Sequence, residues 1–350
     1  MKKELNLQMK KYNDTKQLCF DDILMIPQYS EIESRKDVKL SMRLGTDIVL
    51  GFPVIASPMD TVCELDMAVA IGKHGGLGII HRFMPIEEQI RQVKVASEQV
   101  IVGAAVGAKG SYLHDAERLV DAGASVILID TANGHSQYAI DAVRNLNRLF
   151  KDIHIMAGNV STYEGFKALA KAGANSIRVG IGGGSVCTTR LVSGHGMPTL
   201  SSILDIVEMR DKSKYSNVAI IADGGIRTSG DMVKAFAAGA DAVMLGSMLA
   251  GAEETPGSIR IDETGKYKSF RGMASAEANI GKDVAVSEGI STRVRYKGKV
   301  SEIFKDIVGG LGSGCSYSGV NKLKDLYESA MFIEVSSNTN GENKPHAQYL

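Results

Sequence analysis

A chain of 350 residues with 40 basic and 40 acidic side chains has no formal net charge, which argues against a nucleic-acid polymer or an anionic membrane surface as partner. Its length allows one large α/β barrel or two ordinary domains. The compositional anomaly is glycine, 38 residues in all, against about 7% in ordinary chains.

The polar start MKKELNLQMKKYND lacks the apolar core of a secretory signal. Runs such as Ile48 to Ala56 and Val126 to Ile129 are too short to span a bilayer, so a cytoplasmic protein is expected. Cys19, Cys63, Cys187 and Cys315 form neither CxxC pairs nor a disulfide framework and read as reduced thiols.

A leader to about residue 47, containing FDDILMIPQ, precedes a recurring pattern of apolar, β-branched runs followed by helical stretches. The expected strands are Ile48 to Ala56, Leu77 to Ile80, Val100 to Val106, Ser125 to Asp130, Ile153 to Ala157, Ser176 to Val179, Val218 to Ala222 and Ala242 to Leu245. DAGASVILID, KAGANSIRVG and AAGADAVMLG share an Ala-Gly-Ala whose glycine closes one helix and turns the chain into the next strand. Eight such units over roughly 250 residues describe a (β/α)8 TIM barrel, one domain over 1–335. A doubly wound sheet is the weaker alternative, because no GxGxxG follows the first strand. The segment from about 252 to 298 has little hydrophobic periodicity and is expected to be a mobile flap over the active face. A helical pattern resumes at YKGKVSEIFKDIVGGLGSG, and 336–350 reads as a disordered tail.

In a barrel, the chemistry sits in the loops after the strands. After the sixth comes VGIGGGSVCTTR, where consecutive glycines expose backbone groups and deliver Cys187. An arbitrary lone Cys is usually a small buried hydrophobe. In this loop, flanked by Thr188, Thr189 and the charge of Arg190, it reads instead as a nucleophilic thiolate. The glycines of IADGGIRTSGD and MLGSMLAG follow the seventh and eighth strands, where barrels bind phosphate on backbone amides. Asp223 is placed to accept from ribose hydroxyls; Asp130, ending the fourth strand, suits a ribose contact, a base or a helix cap. Cys315 lies in GLGSGCSYSG, expected to be another Gly/Ser loop able to line a site. His81, His135 and His195 have no metal-ligand spacing and read as polar loop residues.

At GIGGGSVCTTR, DGGIRTSGD and MLGSMLAGAEETPG the sequence resembles the IMP dehydrogenase and GMP reductase family of purine-nucleotide oxidoreductases. The likeness runs through FDDILMIP, SPMDTV, GGLGIIHR, DTANGHS, AGNV, YKG and GGLGSG, over nearly all of residues 18 to 320. It implies a purine nucleoside monophosphate, GMP or IMP, over the barrel mouth, with Cys187 attacking C2 to form a thioimidate. Phosphate contacts are implied for Ser185, Gly225, Gly246 and Ser247, and ribose contacts for Asp223 beside Gly224. The base would meet Gly272, Met273 and Ala274, with Ser287 and Gly289 alongside. NADPH would use Ser34, Arg35, Arg82, Asp130, Thr131, Ala132, Ile181 and Gly182, with Ser313, Gly314, Cys315 and Ser316. A monovalent cation (K+) would sit on carbonyls of Gly182, Gly184 and Cys187 with Arg190 adjacent, and a homotetramer is implied.

Members of the family divide by the fate of the thioimidate. The dehydrogenase hydrolyses it with water activated by an Arg-Tyr pair in a long flap, whereas the reductase expels ammonia from GMP and accepts hydride. Here FRGMASAEANIGKDVAVSE is short and holds no Arg-Tyr; Arg295 and Tyr296 belong to the later YKG turn. Thr189 with Glu288 matches the reductase proton relay, and no CBS pair interrupts the chain. The resemblance therefore implies a GMP reductase, with a dehydrogenase lacking CBS domains or a non-catalytic nucleotide-binding relative as alternatives. Three positions depart from the family pattern. Phe270 replaces the usual Tyr, Ala285 replaces the Arg of animal-type reductases, and GHGMPT replaces GVG(V/Y)PQ.

Overall fold

The computed structural model describes residues 15–279, 286–336 and 339–343. After β1 (Ile23–Met25), a short antiparallel hairpin of β2 (Met42–Leu44) and β3 (Ile48–Leu50) precedes the barrel, with Leu44 opposite Ile48. The expected strand Ile48 to Ala56 is therefore two strands. Pro53 has no N–H to give a ladder, so the chain breaks there and only β4 (Val54–Ala56) enters the barrel.

The barrel continues through β5 (Leu77–Ile80), β6 (Val102–Val106), β7 (Val126–Asp130), β8 (His154–Val160), β9 (Ser176–Val179), β10 (Ala219–Asp223) and β11 (Ala242–Leu245). All eight strands are parallel, and the ring closes where Met244 of β11 pairs with Ile55 of β4. Both faces of these strands are buried, which explains their near-continuous apolar sequence. Along β7, Val126 and Leu128 point into the barrel, while Ile127 and Ile129 join the outer core beneath the helices. Leu44, Ile48 and Leu50 of the hairpin share the inner cluster with Leu77, Met156 and Ile221, so the leader plugs the end of the barrel remote from the strand C-termini.

Helices cross over between the strands: α1 (Leu65–Lys73), α2 (Ile86–Ser97), α3 (Tyr112–Asp121), α4 (Gln137–Leu149), α5 (Tyr163–Ala172), the short α6 (Thr189–Ser193), α7 (Thr199–Asp211) and α8 (Ser229–Ala237). In α4 the buried residues Ala139, Ala142, Val143 and Leu146 follow the i, i+3, i+4, i+7 stripe of a helix packed on a sheet. Thr162 and Thr228 cap α5 and α8, each side-chain oxygen accepting from a first-turn N–H.

After β11 the expected flap contains a three-stranded antiparallel sheet, β12 (Arg260–Asp262), β13 (Gly265–Arg271) and β14 (Ser291–Arg295). Residues 280–285 of this segment, Ala285 among them, lie outside the described residues. The GLGSGC segment is not a loop: it is the second half of α9 (Val300–Tyr317). Phe304, Ile307, Leu311 and Cys315 form its buried stripe, and Gly310, Gly312 and Gly314 allow close packing. A Cβ on Gly314 would come within 2.5 Å of Val233 in α8, and one on Gly312 within 2.7 Å of the Arg35 carbonyl. Beyond α10 (Leu326–Ser329), β15 (Phe332–Glu334) pairs with β1 and ties the two ends of the chain together. Of the expected tail, residues 339–342 form a one-turn helix, while 337, 338 and 344–350 lie outside the described residues. Among the described residues no helix is long and apolar enough to cross a membrane.

Candidate active site

A cavity of about 480 Å³ opens at the C-terminal ends of the barrel strands, within the range that takes a nucleotide-sized ligand. The glycine loop after β9 forms one wall. Cys187 stands there on a turn closed by its own N–H donating to the Gly184 carbonyl at 3.1 Å. The thiol is half-buried and donates to the Thr189 hydroxyl at 3.1 Å, because α6 begins at Thr189 and brings that hydroxyl back toward the turn. Arg190, expected beside the thiol, instead donates to the Met197 carbonyl at 2.9 Å and does not line the cavity. The carbonyl groups proposed for a cation, those of Gly182, Gly184 and Cys187, do share this one loop.

The loops after β10 and β11 form the opposite wall, and Ser185, Gly224, Gly225, Gly246 and Ser247 all face the cavity. The two walls touch: Gly224 has φ +86°, and a Cβ on it would lie 3.1 Å from Gly184 N. Only glycine gives that conformation and approach without strain. Phe270, nearly fully buried, completes this end with a ring and no hydroxyl.

The flap base supplies Gly272, Met273, Ala274 and Glu288. It is held against the Cys loop by a β-bridge between Cys187 and Gly289, by the Thr188 N–H donating to Glu288 O at 3.0 Å and by Ile290 N–H donating to Val186 O at 3.0 Å. Among the described residues no hydrogen bond joins the Thr189 hydroxyl to the Glu288 carboxylate, although both groups face the cavity. Ser287 does not line the cavity; its hydroxyl donates to Ala274 O at 2.8 Å and to Gly289 O at 3.2 Å, bracing the bridge. Gly289 likewise sits behind the lining.

At the cavity floor stands a cluster that reading the sequence missed. Arg178, buried on β9, donates to Asp130 at 2.7 Å and to Asp223 at 2.9 and 3.1 Å. Burial alone would lower the guanidinium pKa, but Asp223 and Asp130 outweigh it and raise it, so Arg178 is a permanent cation between two carboxylates. Asn159 donates to the same Asp223 oxygen at 2.8 Å. An arginine in the middle of the apolar strand SIRVG was the available sign, since a buried charge must find a partner. Asp130 is thus an ion-pair partner and not a helix cap. It lines the cavity with Arg82, Thr131, Ala132, Ile181 and Gly182.

The remaining expected cofactor residues lie elsewhere. Ser34, Arg35, Ser313, Gly314, Cys315 and Ser316 gather on the flank of the barrel where α9 meets the leader, and none lines the cavity. Cys315 is fully buried, and burial pushes its thiol up to about 12, so it is inert packing. His81 does lie in the loop after β5 but is buried: its Nδ1 accepts from the Phe83 N–H at 3.0 Å, and Nε2 therefore carries the proton offered to Glu64 at 3.1 Å. That hydrogen bond is the chief reason the Glu64 carboxyl is held below the usual range. His135 and His195 are exposed, as expected of loop residues.

The IMP dehydrogenase / GMP reductase domain model matches residues 17–346. An inosine-5′-monophosphate dehydrogenase of Nitrosopumilus maritimus is 31% identical over 94% of this chain and 98% of that protein. A GMP reductase of Leishmania major is 34% identical over 91% of this chain and 94% of that protein. The crystal structure of a Trypanosoma brucei GMP reductase variant in complex with guanosine 5′-monophosphate superimposes with a TM-score of 0.91 at 30% identity, covering 97% of this chain and all of that one. With its TIM barrel, its cysteine loop and this full-length match, the chain belongs to the IMP dehydrogenase / GMP reductase family.

Proposed function

We propose that the protein is a GMP reductase, converting GMP, NADPH and two protons to IMP, ammonium and NADP⁺. The observation that carries the reading is the thiol of Cys187, hydrogen-bonded to the Thr189 hydroxyl in one cavity with Glu288 and the glycine loops after β10 and β11. The Cys187 sulfur adds to C2 of the purine and the C2 amino group departs as ammonia, leaving a thioimidate. Departure of an amine needs a proton, and a hydroxyl delivers one efficiently when a carboxyl can replenish it. Thr189 is the donor and Glu288 its source. Their contact closes in the nucleotide complex, as catalytic hydrogen bonds commonly do.

Bound NADPH would supply the hydride that C2 accepts before the sulfur leaves. Asp130, Thr131, Ala132 and Arg82 offer acceptors, a hydroxyl and a cation around the free part of the cavity, a donor set that suits a ribose and a carboxamide. Ser185, Gly225, Gly246 and Ser247 would hold the 5′-phosphate, Asp223 the ribose, and Met273 the base. A monovalent cation would rest on the carbonyls of Gly182, Gly184 and Cys187 and stiffen the nucleophile's loop; a tetramer is part of the same proposal. The dehydrogenase is the competing reading, favoured by relatives of both activities at similar identity. Against it stands the placement of Arg295 and Tyr296 away from the cavity, the Tyr296 hydroxyl donating to Glu253 at 3.1 Å.

Intact-protein mass spectrometry after quenching with GMP and NADPH tests the nucleophile. A purine adduct on the wild type that is absent from Cys187→Ala supports the covalent route; turnover by Cys187→Ala would overturn it.

A further inference from the structure

The YKG turn before α9 is stitched to the loop after β11. The Lys297 N–H donates to Gly251 O at 2.9 Å and the Glu253 N–H to Gly298 O at 2.8 Å. Beyond these backbone bonds, the Lys297 ammonium donates to the carbonyls of Ser247 at 2.8 Å and Met248 at 3.0 Å. Gly246 and Ser247 are the part of that loop that lines the cavity. Among the described residues, the N–H groups of Ser247 and Met248 donate to no other protein group. The Ser247 carbonyl shares a peptide group with the Met248 N–H, so a cation on the oxygen strengthens the N–H as a donor.

The charge balance of the cavity gives this contact its meaning. Its lining cations, Arg82 and Arg178, face Asp130 and Asp223, so they are committed to carboxylates. The end formed by Ser185, Gly225, Gly246, Ser247 and Phe270 is neutral. Lys297 is an exposed residue with no carboxylate partner among the described residues, and partial burial of its ammonium lowers its pKa with no acid to offset it.

We propose that Lys297 is a positioning residue of the phosphate subsite. It holds the Ser247 and Met248 carbonyls away from the cavity, keeps the amides of that turn free for an anion, and places a positive charge behind them. The inference rests on reading this loop as a phosphate site, and not on the identity of the base or the reaction.

The test is calorimetric titration of the full chain with GMP, guanosine and inorganic phosphate, for the wild type and for Lys297→Met, Lys297→Gln and Lys297→Arg. The Met and Gln variants should weaken GMP and phosphate by roughly ten-fold, the scale of one screened unit charge, and leave guanosine unchanged. Arg, which keeps the charge, should restore most of the loss, and in turnover KM should rise while kcat holds. Unchanged phosphate affinity, an equal loss for guanosine and GMP, or no phosphate binding by the wild type would overturn the inference. If the wild type binds phosphate but not GMP, the purine reading fails, and the phosphate titrations still decide the role of Lys297.

Discussion

The Cys187 thiol donates to the Thr189 hydroxyl at 3.1 Å, on the same turn whose next peptide is bonded to the backbone of Glu288. The Cys187 thiol, the Thr189 hydroxyl and the Glu288 residue are thus tied to one short stretch of backbone. Cys187→Ala should abolish turnover and leave GMP affinity within about three-fold of wild type, because the proposed phosphate and ribose contacts lie in the glycine loops and at Asp223. Thr189→Val should lower kcat by roughly 10²–10⁴ with little change in KM, the range for loss of a general acid. Steady-state kinetics and GMP titration read both, and a Thr189→Val enzyme of normal kcat would remove the hydroxyl from the mechanism.

Arg178 bridges two carboxylates at the cavity floor. Arg178→Met would leave Asp223 with only the Asn159 amide and Asp130 with only the more distant Arg82, at a cost of about 3–5 kcal/mol, the usual penalty for breaking a buried ion pair from one side. Denaturant unfolding measures it. A loss below about 1 kcal/mol would mean that the carboxylates find solvent or protons instead.

The hairpin that plugs the far end of the barrel offers a stability change remote from the chemistry. Leu44 is fully buried there, and Leu44→Ala should cost about 2–5 kcal/mol in unfolding free energy. The kcat of the folded enzyme should be unchanged, since the site lies at the opposite end of the strands. A fall in kcat at a temperature where the variant is fully folded would contradict this separation.

Glu64 couples stability to acid. Its carboxyl is held below the usual range in the folded state, chiefly by the His81 hydrogen bond, so the unfolded chain binds the proton more tightly. Its contribution is therefore complete above the unfolded value of about 4.3 and is lost as pH falls through the lower folded value. Thermal unfolding should show Glu64→Gln less stable than wild type at neutral pH, with the gap closing below about pH 4. A gap that is constant with pH would show that the ionised carboxylate contributes nothing.

The barrel was legible because strands buried on both faces spell continuous apolar runs, and the Cys and DGG loops because their glycines fall just past strand ends. Elsewhere local chemistry misled. GLGSGC has the composition of a loop, yet Phe304, Ile307, Leu311 and Cys315 fall at helical spacing, and that stripe decides its conformation. Pro53 marked the break before β4 but was outweighed by the apolar run around it. The meeting of Glu288 with the Cys loop depends on a bridge between Cys187 and Gly289, residues a hundred positions apart, and has no local signature at all. Arg178 and the two carboxylates that hold it come from three strands in the same way, a cluster visible only once the ring is closed.

The most direct test of the reductase reading is a pair of assays on the same preparation, GMP with NADPH and IMP with NAD⁺, following the nicotinamide absorbance. A GMP reductase will consume NADPH with stoichiometric IMP and ammonia in the first, and give no comparable NADH formation in the second. NADH formed from IMP at ordinary enzymatic rates, with GMP and NADPH inert, would contradict the reductase reading.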